Sequence, residues 1–155
     1  MGSREHARAM RADAQNVEAV LILETIGYYS DEAYSQHYPS PFSLIYPNAG
    51  NFIAFVGMPA SGHLVRQTVR AFREHASIAS EGIVAPAFVQ GVDWSDHSSY
   101  NDVGYPAVMI TDTAVMRYPH YHTMQDTPDK LNYGNMARIT SALAKVIEQI
   151  GQATP

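Results

Sequence analysis

Three stretches of strand length, Ala19–Leu23, Asn51–Gly57 and Ala107–Ile110, are apolar almost without interruption, and this limits the possible folds more than any other feature. A strand that alternates apolar and polar residues faces water on one side. A short continuous apolar run is instead covered on both faces, as in parallel or mixed sheets flanked by helices. The runs also end in polar residues. The first passes directly into Glu24, and the last lies between Gly104-Tyr105-Pro106 and Thr111-Asp112. Strand ends of this kind are where α/β folds place their chemistry.

Between the runs the apolar period changes to that of helices. Arg4 to Asp13 reads as a polar surface helix with Ser3 as N-cap. From His63 to Ala76, Leu64, Val65, Thr68, Val69 and Phe72 recur at helical spacing, while Arg66, Arg70, Arg73 and Glu74 form a solvated face. Ser61-Gly62 is placed to cap that helix. Ile83 to Val92 reads as another strand, with Pro86 pointing to an edge position or a bulge. Tyr133 to Ile150 reads as a closing helix that Gly151 stops. Residues 28–50, rich in Tyr and Pro and without a period, form a long loop of the kind that rims functional clefts. The element order predicts an α/β three-layer αβα sandwich around a mixed, largely parallel sheet of about four strands. With 155 residues, 46% of them apolar and 16% charged, the chain has the size of a single domain over residues 1–155.

Charge and composition remove several classes of function. A net charge of −5 offers no basic stripe to meet nucleic-acid phosphates or an anionic membrane. Without cysteine there is neither a disulfide framework nor a thiolate metal site, so any metal is held by His, Asp or Glu. The opening MGSREHARAM has no apolar core segment, which predicts neither a secretory signal nor a membrane span in this chain.

The chemistry-bearing types gather in one stretch, with Asp96, His97, Asp112, His120, His122 and Asp126 around the Pro106–Ile110 run. His120 and His122 are two apart, so in an extended segment both would face one side and a metal could use them. A polar loop that happens to be histidine-rich has the same spacing, and catalytic zinc needs about three protein ligands. Glu24, at the carboxyl end of a buried strand, needs a cation or hydrogen-bond donors to offset its burial. Its partner is a metal, nearby backbone or a tyrosine. Ser95-Asp96-His97-Ser98 looks like triad chemistry, but triads assemble through folding and not by adjacency, and no G-x-S-x-G elbow is present. A serine-esterase reading is therefore a minor one.

The segments SDHSSYNDVGYPAVMITDTAVM and PHYHTMQDTPDKLNY, with LETIGYYSDE upstream, resemble the M28 family of zinc aminopeptidases. The glutaminyl cyclases, which share that fold, are similar in the DH and HT elements. The resemblance runs from Gly2-Ser3 to the last helix and corresponds to the C-terminal half of such a domain. It implies that Glu24 and His122, the His immediately before Thr123, are metal ligands for zinc. It also implies that Asp96 stands beside the metal site, orienting a ligand or base, and that His97 is a pocket wall or substrate contact. Tyr28, Tyr29 and Tyr121 are expected to contact substrate, Asp126 to hold the ligand loop, and Thr127-Pro128 to open a helical turn. His120 and Asp112 are the candidates for substitute ligands.

The same resemblance shows a gap. The family's bridging Asp, a further His and an adjacent Glu-Glu pair lie upstream of the helix matched by Gly2-Ser3 and His6-Ala7. Three readings follow. The chain is a metal-dependent hydrolase of peptide or small aminoacyl substrates whose activity is weak or needs a second chain. It is a non-catalytic remnant. Or it is a binding module that self-associates as a homo-oligomer through an exposed sheet edge.

Overall fold

The computed structural model describes residues 2–152. In chain order the elements are α1 (Gly2–Ala12), β1 (Val20–Leu23), β2 (Phe52–Gly57), α2 (Gly62–His75), β3 (Ala79–Val84), α3 (His97–Asn101), β4 (Ala107–Thr111), α4 (Ala114–Arg117) and α5 (Tyr133–Gln152). The four strands form one mixed sheet in the order β1-β4-β2-β3. β1 runs parallel to β4 and β2 parallel to β3, while β2 and β4 are antiparallel. That arrangement puts the carboxyl ends of β1 and β4 at one rim, beside the start of β2.

Alternation along the strands separates two cores. Ile53 and Phe55 of β2 and Val108 and Ile110 of β4 face α2 and α5, meeting Val65, Val69 and Phe72 from one helix and Ile139, Leu143 and Val146 from the other. Phe52, Ala54 and Val56, with Met109, face the opposite side, where Val92, Tyr38 and Phe42 from long loops cover them. Helices thus flank the sheet, but the layer opposite α2 and α5 is largely loop, and that makes room for a pocket. No helix among the described residues is long and apolar enough to cross a membrane.

Most boundaries follow the apolar pattern, and the departures have physical causes. β1 is an edge strand, half-buried, with Leu23 54% exposed; its apolar run required covered faces and said nothing of how many strands pair with it. β3 is also an edge strand, but it spans Ala79–Val84 and ends before Pro86, so the strand expected over Ile83–Val92, with that proline at an edge position or a bulge, does not form. Ser61 sits at the N-cap position of α2 without capping it. Its hydroxyl donates to Asn101 Oδ1 and accepts from the Ala107 amide, tying α2 to the start of β4. α5 continues through Gly151 to Gln152, so that glycine does not end it. The short helix α3 has no apolar period to announce it.

Phe55 is fully buried and lies 5.1 Å from the Phe72 ring between centroids. Phe55→Ala is expected to lower unfolding free energy by about 3–5 kcal/mol, read from denaturant midpoints. Leu44→Ala, at a side chain 86% exposed, should change it by less than about 0.5 kcal/mol.

Candidate functional site

β1 and β4 end side by side, and each then turns through a residue with left-handed backbone. Thr25 has φ 51° and Thr113 φ 60°. Such conformations cost a β-branched residue of order 1–3 kcal/mol and persist only where the surroundings fix them. Here the Glu24 amide donates to Ile110 O at 2.9 Å and the Asp112 amide to Thr25 O at 2.8 Å, so the two chain ends are locked together past the sheet. Thr25 Oγ1 donates to Glu24 O and lies 3.3 Å from Thr111 Oγ1.

Glu24 stands at the mouth of a pocket of about 110 Å³ on the loop-covered face. Val56, Ile83 and Met109 of the sheet, with Phe42 and Val92, give it apolar walls; Trp94, Ser95 and Tyr121 share the mouth with Glu24. Ser95 Oγ donates to Glu24 Oε2 at 2.8 Å, so the donor that the buried-strand argument demanded is a serine hydroxyl. Tyr38 and Phe42 of the long loop line this pocket, as the loop's composition led one to expect.

The HxH loop reaches the same rim. Tyr121 lines the pocket with Glu24, and the His122 ring stacks on Tyr121 at 3.9 Å between centroids. His122 is exposed and left-handed at φ 58°; His120 is half-buried and packs edge-on against Tyr118. Asp126 accepts a 2.9 Å hydrogen bond from the Tyr118 hydroxyl, which ties down the loop between them. Thr127 and Pro128 take the N-cap and first positions of a 3-10 turn, Pro128–Lys130.

Other expected site residues lie elsewhere. His97 is 0% exposed, and its Nε2–H donates to Val92 O at 2.7 Å, so it is interior and forms no pocket wall. Asp96 is exposed at the start of α3 and makes no side-chain cap. Tyr28 packs on Tyr118, and the Tyr29 hydroxyl donates to Ile26 O; neither lines the pocket. Thr111 and Thr113 line it, whereas Asp112 between them faces the other way, 1% exposed, with Oδ2 taken by the Gly27 and Tyr28 amides. That geometry removes Asp112 as a substitute ligand.

Arg117 is the residue the sequence did not single out. Only 6% exposed, it donates from Nε to Gln36 Oε1 at 2.7 Å and from Nη1 to Phe52 O at 2.9 Å, with the Phe52 ring 4.5 Å below the guanidinium carbon. Burial lowers its pKa to about 10 against the pull of Asp112. Burial likewise raises the Asp112 carboxyl above its ordinary range, opposed by the Tyr28 amide and by Arg117. The one signal in the sequence was a lone arginine ending an apolar stretch, Ala114-Val115-Met116, among carbonyl-rich loops.

As to metal, Glu24 and His122 are donors of the types zinc takes. Among the described residues, however, no group of three His, Asp or Glu stands close enough to hold an ion. Two donors fall short of a catalytic set, so these residues do not by themselves fit a zinc ion.

Burial depresses the His97 imidazole below its ordinary value. As pH falls through about 6.5, the unfolded chain takes up a proton that the folded one refuses, so stability is lost, by at most about 1.4 kcal/mol per pH unit. The wild-type protein should therefore lose stability relative to His97→Gln between about pH 7 and pH 5, seen as a changing Tm difference. The carboxyl of Asp112 titrates with the opposite sign and is common to both proteins. A constant Tm difference would contradict the assignment.

Comparison with known proteins agrees with this fold. The uncharacterized protein YfbL of Escherichia coli (strain K12) is 38% identical over 148 residues, which cover 95% of this chain and 45% of that protein. The crystal structure of the Legionella pneumophila LapA aminopeptidase matches with a TM-score of 0.65 at 20% identity, covering 94% of this chain and 34% of that one. The chain thus spans less than half the length of either protein. The sequence matches Peptidase family M28 over residues 1–147, and by that match the chain belongs to this family.

Proposed function

We propose that the chain supplies one part of a metal-dependent hydrolase site of the M28 aminopeptidase type, acting on peptide or small aminoacyl substrates. The observation that carries this reading is Glu24, a carboxylate held by Ser95 at the mouth of an apolar pocket, with Tyr121 of the His122 loop on the same lip. An apolar pocket beside a carboxylate suits a substrate with an apolar side chain next to a free amino group. Glu24 and His122 are the two donors this chain would contribute towards zinc, and the remaining ligands would come from groups outside these 155 residues, in the same polypeptide or in a second chain. Asp96, exposed at the start of α3, is free to meet such groups.

A second reading, self-association, rests on β1. Its outer edge has no partner strand among the described residues, and Leu23 is 54% exposed there. An open edge of this kind pairs readily with another strand, including that of a second copy.

Zinc titration by calorimetry tests the first reading. The chain alone is expected to bind zinc weakly, and the affinity to fall by more than about tenfold, about 1.4 kcal/mol, in both Glu24→Ala and His122→Ala. Zinc binding that is unchanged in both variants would remove this reading. Aminoacyl nitroanilide hydrolysis that survives a chelator would instead favour a serine mechanism. Light scattering decides self-association: a mass of two chains is expected, and a mass of one chain would end that reading.

A further inference from the structure

We infer that Asp112 is a positioning residue, one that sets the stance of the Glu24 carboxylate by fixing the loop that follows it. The inference rests on reading Glu24 as the working carboxylate of the pocket. Three polar groups within four residues of that loop are held by this one residue of the neighbouring strand. The Asp112 amide donates to Thr25 O at 2.8 Å, while its Oδ2 accepts from the Gly27 amide at 2.7 Å and from the Tyr28 amide at 2.8 Å.

The loop needs such a clamp. Thr25 is left-handed, a conformation that a threonine leaves unless held, and its turn is what separates Glu24, at the pocket, from Ile26 and Tyr29, packed on the helix-covered core. From the far side, the Asn132 amide donates to Gly27 O at 2.7 Å, and a side chain on Gly27 would meet Leu131 Cδ2 at 2.8 Å, so the loop cannot slide that way. Glu24 is thus fixed twice, through its backbone by Asp112 and through its carboxylate by Ser95.

A carboxylate suits this task better than an amide. An amide oxygen could also accept both N–H groups, but the carboxylate does so through charge-assisted bonds, which are shorter and stronger than neutral ones. Arg117, which favours the charged form of Asp112, also grips Phe52 O at the start of β2 and lies 3.5 Å from Tyr28 O. The position of Glu24 is thereby tied to the central strand as well as to β4.

The test is NMR on the full chain at fixed pH, comparing wild type, Asp112→Asn and a control, Ile139→Val, which removes one core methyl group far from the loop in sequence. In D112N the amide protons of Gly27 and Tyr28 are expected to move upfield and the side-chain carboxyl 13C signal of Glu24 to shift; in I139V the Glu24 signal stays in place. A folded D112N with the Glu24 signal unchanged, whatever the two amides do, would overturn the proposal, as would an equal Glu24 shift in I139V. Should D112N not fold, hydrogen exchange in the wild type decides. Gly27 and Tyr28 amides as protected as those of β4 support the clamp, and exchange as fast as that of exposed loop amides overturns it. All of these signals belong to this chain alone, so failure to bind zinc or to hydrolyse a substrate leaves the outcome readable.

Discussion

A guanidinium and a carboxylate buried at the same rim of the sheet are what the architecture of the site depends on. Arg117 and Asp112, 6% and 1% exposed, are largely withdrawn from water, so their charges lean on protein partners, although Asp112 Oδ1 and Arg117 Nη2 have none among the described residues. Asp112 meets that need with amides from the loop after β1, and Arg117 with Gln36 of the long loop and the carbonyl that opens β2. No ion pair joins the two among the described residues; each depends on its own hydrogen-bond partners, without which a buried charge is strongly destabilising. The demand for partners is therefore what draws four separate segments to one place.

The pocket follows from the same arrangement. Where α2 and α5 cover one face of the sheet, the core is closed and contains no candidate chemistry. The opposite face is covered by loops that are held at a few polar points and otherwise only lean on Phe52, Val56 and Met109. A gap beneath such loops is lined with apolar side chains, and its mouth falls where strand ends supply polar ones. Glu24, Thr25 and Thr111 line one end of the pocket together because β1 and β4 are parallel neighbours that end together.

Much of this was readable from residue order. Apolar runs identified β1, β2 and β4 but misplaced β3, which spans Ala79–Val84 and not Ile83–Val92, and helical spacing identified α2 and α5, because burial selects side chains by face and the period records the face. The resemblance carried by SDH and HTMQDT identified the family, and Glu24 was found as a carboxylate with nowhere to go but a partner. What the runs did not carry was neighbourhood. The apolar run Val20–Leu23 led one to expect a strand covered on both faces, whereas β1 is a half-buried edge strand, because the run does not record how many strands pair with it. His97 and Asp112 are polar residues in a chemistry-rich stretch, and only the fold shows that one turns to Val92 O and the other to the Gly27 and Tyr28 amides.

The sequence by itself determined most kinds of element, the lack of a cysteine in these 155 residues and the set of carboxylates and imidazoles that this chain can contribute to a site. Those are properties of single residues and of short-range periods, which the chain states locally. The tertiary structure alone decided which of those groups share a rim. Ser95 reaches Glu24 across 71 positions and Arg117 reaches Gln36 across 81, and contacts over such separations depend on strand order and on where each loop must return. No local pattern encodes that return, so the partners of Glu24, Asp112 and Arg117 become visible only when the sheet is assembled.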